Sequence, residues 1–304
     1  MKIVVVGSGA IGGLFGERLA KAGHEVWMLD KDKDLVEAIK KHGISITEGE
    51  ETTCTPVNST LDPQEIQACD LVLLCVKSFD TEEAVRGISH LIKGDVPLLT
   101  LQTGLENLEK AGAIVPIQNI LGGITYNGST LLSPARIRYT ARGTTIIGEI
   151  DGKKTSRVHQ ILQAFREAEL ETEISDNIIG HIWSKAIVYS GINSLTAIFQ
   201  VKNGQLLDRM ASVSLLTTII EEGMEVAKAY GKKLIYDDPY EDLFSICKRT
   251  SEHLSPMLQD IMNHRKTEIE ALNGAIAARG KKVGIQTPVN NALTNIIKFL
   301  ERKE

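Results

Sequence analysis

Lys185 and Asn193 are the pair best placed to do chemistry in this chain. They lie in HIWSKAIVYSGINSLTAI (181–198), a largely apolar stretch with helical spacing. Eight residues separate them, just over two helical turns, so they share one face. A lysine ammonium can give a proton to an alkoxide as it forms and stabilise its charge, which a carbonyl receiving a hydride needs. An asparagine on the same face could hold the carbonyl or carboxylate of an oxo acid. The same lysine could equally lay its stem along a helix edge and keep its head in water. The residues alone leave both readings open.

A hydride needs a donor, and the N-terminus offers a place for one. Gly7-Ser8-Gly9-Ala10-Ile11-Gly12 follows the apolar run KIVVV and opens a helical pattern. Glycines in a GxGxxG turn permit a tight bend and close approach of a pyrophosphate, and the following helix N-terminus stabilises its charge. A second strand pattern ends at Asp30, 18 residues beyond Gly12, where dinucleotide folds place the acid that bonds the adenosine ribose. Such an acid favours NAD(H), whereas Lys31 and Lys33 could pair with the extra phosphate of NADP(H). The cofactor choice stays open between the two. Lys77 follows LVLLCV at the carboxyl edge of the sheet, either as a ligand contact or as a solvated loop charge. Gln102-Thr103-Gly104 ends the next strand, and its backbone, Thr103 included, is expected to face the nicotinamide half.

The elements that must position these residues read as two domains. Strand patterns at Lys2 to Val6, Glu25 to Leu29, Leu71 to Val76 and Pro97 to Leu101 alternate with helical patterns at Ala10 to Ala22, Asp34 to His42 and Thr81 to Ile92. That alternation predicts a parallel sheet with right-handed crossovers. From Ile120 to Ile150, β-branched residues and glycine or proline turns predict further strands that extend the same sheet, partly antiparallel. Arg157 to Ala168 reads as a helix. Beyond residue 170 the strand signals vanish, and helices are expected over 177–199, 210–230, 240–253, 257–279 and 288–299. Thr287 is the candidate cap of the last, with Pro288 at its first position. The expected class is α/β, an N-terminal Rossmann domain over 1–169 and an all-α catalytic and substrate domain over 170–304.

Composition excludes several other classes. With 304 residues, 42% hydrophobic and 24% charged, the chain can build two ordinary globular cores. A net charge of −5 supplies no cationic field for a nucleic acid. No apolar stretch reaches the roughly 20 residues needed to span a bilayer, and no signal-peptide pattern opens the sequence. Four cysteines without a CxxC pair suggest neither zinc nor disulfides. Cys75, inside an apolar run, is expected to be a buried, inert thiol. A soluble, cytoplasmic protein that acts on a small molecule is the expectation.

Beyond these local readings, the whole chain resembles the ketopantoate reductase (2-dehydropantoate 2-reductase) family. The resemblance rests on the GxGxxG, Val76-Lys77, the QxG at 102–104, Trp183 to Lys185, Asn193 to Ala197, the run from Ser255 to Asp260, RKTEIE (265–270) with Asn273-Gly274, and Gly284 to Pro288. It implies reduction of ketopantoate to pantoate with NADPH, a step toward pantothenate and coenzyme A. Carried over, Lys185 is the proton donor that also holds the keto oxygen. Asn193 and Asn203 bind the substrate, and Ser255 touches its carboxylate. Glu268, otherwise readable as an exposed helix charge, fixes the cofactor ribose or a substrate hydroxyl. A homodimer through the helical domain is a further implication.

Three positions depart from the family pattern. Thr103 and Tyr189 stand where asparagines are usual, and Pro256 replaces a serine. All three alter polar contacts near the substrate, Tyr189 among the substrate-binding positions, while Lys185 and Glu268 remain. A reductase of another branched 2-oxo acid, an opine-type dehydrogenase, and a dinucleotide-binding sensor are the alternatives.

Overall fold

The computed structural model describes residues 1–301. The chain divides into two compact units: Met1–Gln102 with Asn107–Ile178, and Thr103–Glu106 with the chain from Ile179 on.

The first unit starts as the sequence predicts, with β1 (Lys2–Val6), α1 (Ala10–Lys21), β2 (Glu25–Leu29) and α2 (Lys33–His42). Three strands follow where the sequence patterns offered no element: β3 (Ile44–Glu48), β4 (Glu51–Thr55) and β5 (Asn58–Thr60). β3 buries only Ile44 and Ile46, and β4 (ETTCT) has no aliphatic residue, so neither carries the apolar run that marks a buried strand. Then come β6 (Leu71–Leu74), α3 (Thr81–Ile88), β7 (Leu98–Thr100), α4 (Asn107–Gly112) and β8 (Ile120–Thr125). The expected helix to Ile92 ends at Ile88 and closes with a 3-10 turn at Ser89–Leu91.

The main sheet has eight strands, completed by β9 (Gly128–Ser133), β10 (Arg136–Ala141), β11 (Thr145–Glu149), α5 (Ser156–Glu167) and β12 (Thr172–Ile174) only in part. Its order is β12-β11-β8-β7-β6-β1-β2-β5, parallel throughout except where β11 runs antiparallel to β8. Two expectations are corrected here. Only the outer strands of 120–150 extend this sheet; β9 and β10 leave it for a second sheet of order β4-β3-β10-β9. That sheet lies over α1 and buries Ile137 and Tyr139 in the core that holds Leu14 and Phe15. Strand structure also continues past residue 170, because β12 pairs parallel with β11 over Thr172–Ile174, too briefly for any period to show.

The second unit is helical: α6 (Ile178–Phe199), α7 (Met210–Ala229), α8 (Pro239–Arg249), α9 (Pro256–Met262), α10 (Asn273–Val283) and α11 (Pro288–Leu300). α6 is buried almost without interruption from Ile182 to Ala197, as suits a helix apolar on every side. The expected single helix over 257–279 is two. α9 stops at Met262, His264 takes a positive φ of 55°, and a 3-10 turn at Ile269–Ala271 precedes α10. The break is fixed by Thr267, whose N–H and hydroxyl both donate to the Glu301 carboxylate. Glu268 therefore opens a turn rather than riding on a helix. At α11, Thr287 holds the N-cap position without a side-chain bond. The capping oxygens come instead from Glu222 on α7, which accepts from the backbone N–H of Val289 and Asn290, both at 2.9 Å. No helix among the described residues is long and apolar enough to cross a membrane.

Candidate active site

In the first unit the glycine-rich turn has the shape its sequence requires. Gly7 lies at φ +95°, and a Cβ there would stand 2.7 Å from the Val76 nitrogen; one on Gly12 would stand 1.8 Å from the Gly7 carbonyl oxygen. Around Gly9 nothing lies within 4 Å of that position, so the backbone is open to a ligand. Gly9 is the N-cap of α1, with no side-chain cap and no acid in the first turn, leaving the helix N-terminus for an anion. The buried Ser8 hydroxyl has no protein partner. Ala10 and Ile11 begin the helix. These residues fit a dinucleotide pyrophosphate.

Asp30 follows β2 beside this turn. Its carboxylate accepts from the Ser8 N–H at 2.5 Å and from the Asp32 N–H at 3.0 Å. Lys31 turns to Asp80 with Nζ to Oδ1 at 2.7 Å, which raises its pKa, while Lys33 is exposed beside Glu37. Lys77 is half-buried at the start of the 3-10 turn Ser78–Asp80. Val76 just before it is tied to Gln102, whose amide donates to the Val76 carbonyl and the Thr81 hydroxyl, each at 2.8 Å. Cys75, at the end of this strand run, has its thiol pushed by burial up to about 12, an inert state at neutral pH.

In the second unit Lys185 sits in the middle of α6 with 8% of its surface exposed. The ammonium does not reach water along a helix edge. Burial lowers its pKa from 10.5 to about 8, and the Glu268 carboxylate opposes that fall. Tyr189, one turn on, places its ring centroid 5.4 Å from Nζ. Asn193 is buried farther along the same face, and its Oδ1 has no protein partner.

Ser255 caps α9: its hydroxyl oxygen accepts from the Leu258 N–H at 3.1 Å and from the Thr196 hydroxyl at 2.6 Å. Thr196 lies one turn beyond Asn193, so this bond joins Ser255 to the Lys185 helix. Asn203 opens the 3-10 turn Asn203–Leu207. Its backbone N–H donates to the His253 carbonyl and its amide to the Thr250 hydroxyl, while Oδ1 is buried without a partner. The structure thus gathers Lys185, Tyr189 and Glu268 about the middle of α6, and ties Ser255 and Asn203 to the segment 250–258, with Ser255 bonded to Thr196 one turn beyond Asn193. Thr103 belongs to the same unit, in the short stretch 103–106.

Comparison with known proteins accounts for both halves. The description Ketopantoate reductase PanE/ApbA matches residues 3–152, and its C-terminal counterpart matches 177–301. The chain belongs to the ketopantoate reductase family. A 2-dehydropantoate 2-reductase of Pyrococcus abyssi is 36% identical over 306 residues, all of this chain and 99% of that one. A ketopantoate reductase of this family from Ralstonia eutropha has 31% identity and a TM-score of 0.91, covering 99% of this chain and 98% of its own. A D-mandelate dehydrogenase solved with NADH and anilino(oxo)acetate has 29% identity and a TM-score of 0.92, covering 99% and 98%.

Within this member of the family, Gln102 and Thr196 were read only as parts of longer motifs, and Arg279 was not read at all. Thr196 and Gln102 act through bonds to distant residues that no local pattern announces. Arg279, on α10, reads as an ordinary helix cation, yet it is 5% exposed, with its Cζ 5.9 Å from the centroid of the Trp183 ring.

Proposed function

We propose that this protein reduces ketopantoate to pantoate, with Lys185 as the proton donor and NADH as the preferred reductant. One observation carries the reading: a lysine buried in the middle of an apolar helix, its pKa brought near 8, with a carboxylate as its counter-charge. Burying an ammonium this deeply works against stability, which is the mark of a functional group.

The cofactor, when bound, supplies a hydride to the keto carbon. The Lys185 ammonium holds the keto oxygen and gives it a proton as charge develops there, so oxo acid, NADH and one proton become hydroxy acid and NAD⁺. Glu268 keeps the ammonium charged below about pH 8. Asn193 and Asn203 present partnerless buried oxygens, suited to a substrate hydroxyl donor. Ser255 accepts two bonds and retains its own O–H for the carboxylate. NADH is favoured over NADPH because Asp30 places a negative charge beside the turn, while Asp80 already holds Lys31.

Tyr189 favours a second reading, an aryl 2-oxo acid. Its ring lies against the lysine, where a flat substituent could stack. The D-mandelate dehydrogenase of the same fold was solved with an aryl oxo acid derivative. Steady-state oxidation of NADH and NADPH with ketopantoate, phenylglyoxylate and 3-methyl-2-oxobutanoate separates the readings. The higher kcat/KM is expected for ketopantoate with NADH. A preference for phenylglyoxylate, reversed by Tyr189→Asn, would instead establish the aryl acid. No turnover with any of them would sink the assignment.

A further inference from the structure

The residue after Gln102 leaves the first unit, and four residues, Thr103–Glu106, are built into the second. Four contacts hold them there. Gly104 has φ +112° and lies so close to the 3-10 turn Ile269–Ala271 that a Cβ would stand 2.7 Å from the Ala271 Cβ. The Leu105 N–H donates to the Ala271 carbonyl at 3.0 Å. From the other side the Arg279 guanidinium donates to the Leu105 carbonyl at 3.1 Å and pairs with Glu106 at 3.7 Å.

The same turn begins at Glu268, whose carbonyl accepts from the Ala271 N–H at 3.0 Å. Arg279 meanwhile lies over Trp183, two residues before Lys185 on α6. One guanidinium therefore touches the lysine's helix and the segment that braces the glutamate's turn. Its planar fork suits both tasks: the cation lies within reach of the indole ring while the N–H edge donates in fixed directions. A buried cation with a single structural bond would be a poor design, since burying charge costs more than one contact returns. Here it joins three elements that must keep register for the Lys185–Glu268 pair to work.

We propose that Arg279 is a positioning residue, which clamps the Thr103–Glu106 segment and the Trp183 turn so that Glu268 is held at its working distance from Lys185. The proposal rests on the reading of Lys185 and Glu268 given above. It assigns Arg279 no contact with substrate or with the dinucleotide.

The test uses the full-length enzyme, with sites counted by NADH fluorescence titration so that kcat refers to folded protein. Arg279→Met is expected to lower kcat about 10–100-fold, the effect of misplacing a catalytic group by about 1 Å. The KM for the oxo acid should stay within about threefold and the NADH Kd within about twofold, since neither ligand is held by this side chain. Arg279→Lys keeps a cation that can reach Leu105 or Glu106 but loses the planar fork, and is expected to recover part of the loss, with kcat between those of the methionine variant and the wild type. A structural role alone would lower the count of competent sites and leave kcat per site unchanged, and that outcome overturns the proposal. Equal impairment of the methionine and lysine variants overturns it as well. If Arg279→Met does not fold, Arg279→Lys combined with Glu106→Gln decides: a loss of at least about fivefold in kcat supports the clamp, and an unchanged kcat refutes it. Lys185→Met, run in parallel, separates the two ideas. Should it keep a normal kcat, the reading of the site fails; should it be inactive while Arg279→Met turns over normally, only the clamp fails.

Discussion

Replacing Lys185 by methionine should make the protein more stable and nearly inactive at once. Burial lowers the folded-state pKa from 10.5 to about 8. Below pH 8 the amine is charged in both folded and unfolded chains, and the folded state bears the full cost of desolvating it. Between about 8 and 10.5 the folded amine is neutral while the unfolded one still binds a proton, so stability rises with pH across that window. A difference of 10.5 to about 8 corresponds to about 3 kcal/mol of destabilisation at neutral pH. Methionine has similar length and no charge, so Lys185→Met should regain up to that amount at pH 7 and little at pH 10.5. Chemical denaturation of both proteins at the two pH values measures this. Initial rates at saturating oxo acid and NADH should show kcat lower by about 10²–10⁴-fold, the range for a positioned general acid. A variant destabilised at pH 7, or equally stabilised at both pH values, would refute the claim that desolvation governs this lysine. A normal kcat would refute its role in proton transfer.

Three further outcomes follow from the geometry. Glu268→Gln removes the charge that raises the Lys185 pKa, so the alkaline limb of the kcat profile should move to lower pH; a profile displaced upward or unmoved contradicts the pairing. Asp30→Ala should improve the ratio of NADPH to NADH efficiency by about 5- to 150-fold, the equivalent of a like-charge contact of about 1–3 kcal/mol, and an unchanged ratio would detach Asp30 from the ribose. Glu222→Ala should cost about 3 kcal/mol in chemical denaturation, because the Val289 and Asn290 N–H groups and the Asn290 amide lose a common acceptor; a loss below about 1 kcal/mol would show that water replaces it.

What could be read from the sequence was whatever depends on local order. The GxGxxG turn, the strand leading to Asp30 and the apolar helix around Lys185 each declare themselves within one short continuous stretch of sequence. The second sheet does not, because β3 meets β10 across nearly a hundred residues and each strand buries only one side. The split of 257–279 is likewise invisible locally. It depends on Glu301, at the far end of the chain, accepting from Thr267. That distant bond is what takes Glu268 off a helix. For the same reason the reading of Glu268 as an exposed helix charge was open to anyone working from pattern alone, and only the resemblance argued otherwise. Arg279 was missed because nothing in RGKK (279–282) distinguishes its buried guanidinium from the exposed Lys281 and Lys282.

On the proposed reading, the placement of Lys185 would let one residue serve the reaction in both directions. An exposed lysine near its ordinary value of 10.5 would be a reliable acid at pH 7 but could not accept the proton back from a hydroxy acid until strongly alkaline conditions. Burial alone, with nothing opposing it, would take the amine lower still and leave less of it protonated for the alkoxide. α6 supplies the desolvation by being apolar on all sides, and Glu268 supplies the opposing charge from a turn that Thr267 and Glu301 hold in place. The outcome near 8 leaves the amine protonated for reduction at neutral pH and deprotonated for oxidation just above it. Reduction should therefore fall and hydroxy-acid oxidation rise through the same pH interval, with midpoints near 8, when both are followed with saturating substrates. If the two limbs titrate more than about two units apart, a second group carries one of the directions, and Lys185 cannot be the shared proton carrier.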